Sequence, residues 1–172
     1  VFVMREATDG ETLREANRSL MATPLDREGA YWARLEQSAP GLRAPLTRLI
    51  EAARPLGVQP EFLGSMNLKW PGLGEKPLNL GYVWANGRLW LDAASWFAPR
   101  DLAKAYVEDL AQLFRADVHL MGKGQNPTLF RNGQSLRVAE IIDLLPHWQR
   151  VMANCISAIQ ERRRAQHTMD EA

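Results

Sequence analysis

Apolar residues recur at helical spacing through the first third of the chain. After the acidic cap Asp9-Gly10-Glu11-Thr12, Leu13, Leu20 and Met21 fall with Asn17 near one face, predicting an amphipathic helix that Thr23-Pro24 stops. A second helix starts near Asp26, whose carboxylate can accept from free backbone N–H groups of the first turn. It carries Tyr31, Trp32 and Leu35 up to Ser38-Ala39-Pro40. A third, from about Leu42, sets Leu42, Leu46, Leu49, Ile50 and Ala53 on one face and ends at Arg54-Pro55-Leu56-Gly57, where the glycine suits a helix terminator.

Past Pro60 the period changes to two. Met66, Leu68 and Trp70 alternate with Ser65, Asn67 and Lys69, the pattern of a strand buried on one face, and Pro71–Pro77 breaks it with glycine and proline. Asn79–Ala85 and Arg88–Asp92 flank Asn86-Gly87, which predicts a hairpin with a two-residue type I′ turn. That turn sets Ala85 opposite Arg88, Trp84 opposite Leu89, Val83 opposite Trp90 and Tyr82 opposite Leu91. One face then carries Leu80, Tyr82, Trp84, Leu89 and Leu91 and is read as core. The other carries Gly81, Val83, Ala85, Arg88, Trp90 and Asp92 and is mixed.

Pro99 opens a well-patterned helix through Leu102, Ala103, Tyr106, Val107, Leu110, Leu113 and Phe114 that ends near Arg115. Val118–Met121 reads as a strand, Gly122–Pro127 as a loop, and Thr128–Arg137 as a shorter hairpin around Asn132-Gly133. Val138, Ile141, Ile142 and Leu145 begin a helix that Pro146 kinks or restarts. It continues over His147–Arg164 with Trp148, Val151, Met152, Cys155, Ile156 and Ile159 on its apolar side, and a polar, frayed tail follows from Ala165. The expected fold is α+β: one small, mostly antiparallel sheet with two Asn-Gly hairpins, packed against helices and preceded by an N-terminal helical segment. Residues 1–172 read as a single domain, with 1–62 mainly helical, 63–137 containing the sheet and one helix, and 138–165 forming the C-terminal helices.

Composition narrows the function classes. With 172 residues, 46% of them hydrophobic, the chain holds one core and too little for two full ones. Its 21 basic and 20 acidic side chains leave a net charge of +1, so no strongly basic nucleic-acid binder is indicated. A single cysteine, Cys155, and the lack of any zinc-type spacing point to a reducing, cytoplasmic compartment and to a chain without cofactor or metal. No stretch approaches the roughly 18 apolar residues of a membrane span, so no membrane partner is expected. The first residue is Val1 instead of Met, which reads either as an excised or processed piece of a longer protein or as a chain with residues added ahead of Met4.

Six tryptophans are the unusual feature, four of them, Trp70, Trp84, Trp90 and Trp96, within 27 positions. On the mixed face, Trp90 beside Arg88 can offer a flat ring and a guanidinium to a nucleobase and its phosphate, although packing against Val83 is the plainer role. Asp92 ends that strand and is read as capping the turn into the next helix or lining a cleft. With Trp96 and Lys123 of the second glycine-rich loop, these residues make up the candidate ligand-binding set: Arg88, Trp90, Asp92, Trp96 and Lys123. Arginine outnumbers lysine 17 to 4, and folding can gather Arg88, Arg100, Arg131 and Arg137 on one side. The run Arg162-Arg163-Arg164 complements a helix C-terminus.

Catalytic signals are weak. Glu140 with Asp143, and Glu108 with Asp109, lack a partner histidine; Gly64-Ser65 lacks the second glycine of a nucleophile elbow; Gly122-x-Gly124 lacks the rest of a phosphate loop. Cys155, on an apolar helix side, reads as core. Residues 1–6 resemble the strand of restriction-type nucleases that bears a Glu-x-Lys pair, but the triplet here is Glu6-Ala7-Thr8, without the lysine. The expected role is therefore a non-catalytic binding or accessory domain of a larger bacterial-type protein or assembly, with protein or nucleic acid as partner and a homo-oligomer allowed. The alternatives are a phosphodiester hydrolase fragment in which Glu6 and Asp92 converge only on folding, and a structural oligomerisation module.

Overall fold

A computed structural model describes residues 23–72, 74, 76–92 and 99–171. The expected helix after Asp9, the terminal apolar residues Val1–Met4, Glu6 and Trp96 lie outside the described residues. The fold is α+β, with antiparallel sheets packed against helices and a helix ahead of the first strand.

Helix α1 spans Pro24–Ser38 and α2 spans Arg43–Ala53. Thr23 caps α1: its hydroxyl accepts from the Asp26 N–H at 3.3 Å, and the Asp26 carboxylate accepts from the Thr23 N–H at 3.2 Å. This reciprocal cap satisfies two otherwise unpaired donors, and Thr23→Ala would cost about 1 kcal/mol. Proline at the first turn has no N–H to leave unsatisfied, so Thr23-Pro24 starts this helix. A short 3₁₀ turn, Arg54–Leu56, ends on Gly57 at φ 82°.

Four strands follow in the order β1 (Gln59–Phe62), β2 (Ser65–Trp70), β3 (Leu78–Trp84) and β4 (Leu89–Trp90), all antiparallel. Helix α3 covers Arg100–Phe114, and β5 (Asp117–Met121), β6 (Asn126–Arg131) and β7 (Gln134–Ser135) form a three-stranded sheet. Two sheets thus replace the single one expected, and β1 is a strand that the sequence reading, which began the sheet at Met66, did not include. The two sheets meet edge to edge. Leu89 N–H donates to the Leu136 carbonyl at 2.8 Å, Leu136 N–H to the Leu129 carbonyl at 3.2 Å, and Arg88 and Arg137 form an antiparallel bridge.

Two 3₁₀ turns, Val138–Glu140 and Ile142–Leu144, stand where a helix was expected to begin, and α4 runs from Leu145 to Asp170. Pro146 starts α4, and the polar residues after Ala165 continue it instead of fraying. Tyr31, Trp32, Leu46, Leu49, Val83, Leu89, Val107, Phe114, Trp148 and Met152 belong to one continuous core. Trp148 is fully buried, stands edge-on to Phe114 at 5.8 Å and donates its indole N–H to the Tyr106 hydroxyl at 2.8 Å, while Tyr106 in turn donates to the Leu80 carbonyl. This relay ties α4 and α3 to the middle of β3 and leaves neither polar atom unpaired.

The β3–β4 register differs from the expected one by a single residue. Val83 lies opposite Leu89 and Tyr82 opposite Trp90, because the turn holds three residues, Ala85-Asn86-Gly87, with Gly87 left-handed at φ 81°. The Trp84 N–H donates to the Arg88 carbonyl and the Gly87 N–H to the Trp84 carbonyl, both at 2.9 Å. An upstream irregularity is consistent with this slip. Asn67 pairs with Tyr82 but Lys69 with Asn79, so Leu80 and Gly81 together oppose Leu68 and form a bulge. Leu78 and Leu80 point into the core before the bulge and Val83 points there after it, all three fully buried. Tyr82 and Trp84, expected in the core, are turned to the opposite face.

Candidate functional site

That slip builds the candidate site. The open face of β3 and β4 presents Tyr82, Trp84, Arg88, Trp90 and Asp92 around a shallow depression of about 450 Å³, with Asn86 at its rim. Trp84 is 43% exposed, and Tyr82 and Trp90 are half-buried. The Tyr82 ring meets Trp84 edge-on at 6.0 Å between centroids, and its hydroxyl donates to Asp92 Oδ1 at 2.6 Å. Burial, and then the Asp92 hydrogen bond and charge, hold the Tyr82 phenol well above its ordinary range, so it stays a neutral donor. Asp92 therefore serves as the acceptor for this phenol.

The neighbouring sheet extends the face. Phe130 of β6 meets Trp90 edge-on at 6.2 Å, and His119 of β5 stacks on Phe130 at 4.4 Å with 21° between planes. Arg88 donates from Nη1 to the Ser135 hydroxyl at 2.7 Å. Directly opposed residues of an antiparallel bridge project to one side, so Arg137 stands beside Arg88 on this face. Among the described residues, neither arginine forms an ion pair.

Of the sequence candidates, Arg88, Trp90 and Asp92 come together here, and Trp96 lies outside the described residues. Lys123 sits exposed in the turn between β5 and β6, at the end of that hairpin opposite the Asn132-Gly133 turn, and does not line the depression. Tyr82 and Trp84 were missed because strict alternation assigned them to the core; the glycine at position 81, inside a strand, was the available sign of a bulge. No local pattern marks Phe130, His119 and Arg137 as neighbours of Trp90 and Arg88, because a junction between two sheets brings them there.

The other charged clusters are structural ties. Arg162 forms a two-pronged ion pair with Asp101 at the start of α3, at 2.7 and 2.5 Å, and Arg163 donates to the Gly72 carbonyl at 2.6 Å. Arg131 reaches the Phe114 carbonyl and lies 3.8 Å from Glu140, whose carboxylate also accepts from the Arg137 N–H at 2.9 Å. Burial, then the charge of Asp109, pushes the Cys155 thiol up to about 12, which leaves it unreactive at neutral pH. Among the described residues no group of three or more His, Cys, Asp or Glu side chains is placed to hold a metal ion, and no helix is long and apolar enough to cross a membrane. Comparison of the chain with protein-family models, with curated proteins and with solved structures found no match.

Proposed function

We propose that this chain is a non-catalytic binding domain of a larger protein or assembly, and that its ligand contact is the open face of β3 and β4. The observation that carries this reading is the set Tyr82, Trp84, Arg88 and Trp90, side by side on a solvent-facing sheet surface. Aromatic rings grouped on one open sheet face, one of them 43% exposed, suit a surface that another molecule covers. Tryptophan, tyrosine and arginine are also the residues that contribute most to binding when desolvated. The core shared by the described helices and strands supports a single domain, and the buried, unpaired Cys155 fits a reducing, cytoplasmic compartment.

A panel of nucleosides, short aromatic and acidic peptides and saccharides, titrated while the indole N–H signals are followed by NMR, tests the reading. One ligand class should move the Trp84 and Trp90 signals and leave those of Trp70 and Trp148 in place. Silence of Trp84 and Trp90 toward every class at millimolar concentration would overturn it.

One observation favours a second reading, self-association. Val118 and Leu120, 39% and 56% exposed, lie on β5, at the edge of the three-stranded sheet. Light scattering that returns a monomer at all concentrations would remove it.

A further inference from the structure

We infer that the open face takes a single-stranded nucleic acid laid across the strands, with phosphate at Arg88 and Arg137 and bases on the aromatic strip. The inference rests on the binding-face reading above and names its ligand.

Two independent features point to this chemistry. The first is the arginine pair. Like charges placed directly opposite each other on neighbouring strands repel, and among the described residues no carboxylate forms an ion pair with either Arg88 or Arg137. An anion between the two guanidinium groups removes that repulsion, and a planar fork suits phosphate oxygens.

The second feature is the strip that leads away from the pair. Trp84 and Tyr82 on β3, Trp90 on β4, Phe130 on β6 and His119 on β5 form a row of rings crossing four strands. Every base offers a π-face to such a row, but only when it is unpaired, so a single strand fits and a duplex does not. The site is a shallow depression on a continuous surface, which suits a polymer better than an enclosed small molecule. Asp92 and Asp117 lie on the same side of the sheets, Asp117 opposite Phe130. They repel phosphate along the strip and so confine backbone contacts to the arginine end.

That confinement sets the salt dependence. Two phosphate contacts on a single strand give a slope of log affinity against log salt of about −1.4. A basic groove would give a much steeper one.

The test uses the full chain and fluorescent DNA and RNA oligonucleotides of about 12 residues, single-stranded and duplex, read by anisotropy. Single strands should bind at least about tenfold tighter than duplexes. Trp84→Leu and Arg137→Gln, both at exposed positions and so expected to leave the fold intact, should each weaken binding about fivefold or more, and Arg137→Gln should bring the slope to about −0.7. No binding at high micromolar protein, equal binding of duplex, or affinity unchanged in both variants overturns the inference. If peptides or saccharides alone move the Trp84 and Trp90 signals, the face remains a binding site and only the nucleic-acid ligand falls. If nothing moves them, both readings fall together.

Discussion

Tyr82 stands directly opposite Trp90 across the β3–β4 ladder, and its hydroxyl donates to Asp92 just beyond the end of β4. The three tyrosines of the chain, Tyr31, Tyr82 and Tyr106, are all held above the ordinary phenol range of 10, in each case chiefly by burial. A raised folded-state value means that the folded protein keeps a proton the unfolded chain has lost. The associated stability is complete below about pH 10 and is lost as pH rises beyond it. Alkaline titration should therefore show no tyrosinate absorbance near pH 10 in the folded protein, then its appearance together with loss of helical circular dichroism. One tyrosine ionising normally in the folded state would contradict this, and Asp92→Asn should lower the Tyr82 value while leaving it raised by burial.

Gly81 is fixed by its neighbours as well as its backbone. At φ 147° a side chain is strained, and a Cβ here would lie 2.8 Å from Trp148 Cζ2 and 2.9 Å from Leu91 Cδ2. Gly81→Ala should cost about 3 kcal/mol, read as a lower denaturant midpoint at unchanged slope. In a Trp148→Leu background the indole contact is gone while the Leu91 contact and the backbone strain remain, so the same substitution should cost less, about 2 kcal/mol. Equal costs in both backgrounds would show that the indole does not set the requirement.

This glycine also separates what the sequence disclosed from what it hid. Leu46, Leu49 and Ile50, or Val107, Leu110 and Phe114, announce their helices because a period of 3.6 repeats without interruption and each buried residue agrees with the next. Leu78–Trp84 looks equally regular, yet its alternation changes phase at the Leu80-Gly81 bulge. Continued alternation from Leu80 placed two rings of the open face, Tyr82 and Trp84, in the core. The two faces of the Arg88–Asp92 segment were read correctly, although its register and length were not, because no bulge interrupts it: Leu89 and Leu91 are buried, and Arg88 and Trp90 lie on the other side. The remaining partners, Phe130, His119 and Arg137, depend on how one sheet abuts another, which no local period encodes.

The same dipeptide takes two conformations. Asn132 and Gly133 both have positive φ, 52° and 73°, between the paired residues Arg131 and Gln134. Asn86 is not left-handed; its side-chain carbonyl instead accepts from the Arg88 N–H at 3.1 Å. Glycine substitution should therefore separate them. Asn132→Gly should be close to neutral, because glycine adopts positive φ freely, whereas Asn86→Gly should destabilise by about 1 kcal/mol through added chain entropy and the lost bond. Thermal unfolding of the two variants checks this, and equal shifts would mean that both turns share one geometry.

Cys155 offers a probe of local opening. Its thiol is buried on α4 and its ionisation is pushed up to about 12, so almost no thiolate exists at neutral pH. Modification by a thiol reagent should follow the unfolding transition in denaturant and not precede it. Reaction at full rate in the native state would show that the last helix detaches from the core.

The arginine run at 162–164 gives a control for the proposed ligand. The two-pronged hydrogen bond from Arg162 holds the Asp101 carboxyl at about 2, below the ordinary 3.8, and draws the run toward α3 instead of toward the open face. A lowered carboxylate value contributes stability that is present above about pH 4 and is lost as pH falls toward 2. The pair lies at the surface, with Asp101 exposed and Arg162 partly so, and that contribution is small and screened by salt. Arg162→Gln should return the Asp101 titration, followed by NMR, to the ordinary carboxylate range and leave oligonucleotide affinity unchanged. Arg137→Gln should do the reverse, weakening binding without moving Asp101. If Arg162→Gln weakened binding as much as Arg137→Gln, the contact surface would have to reach the α3–α4 side, and the aromatic strip could not by itself define the site.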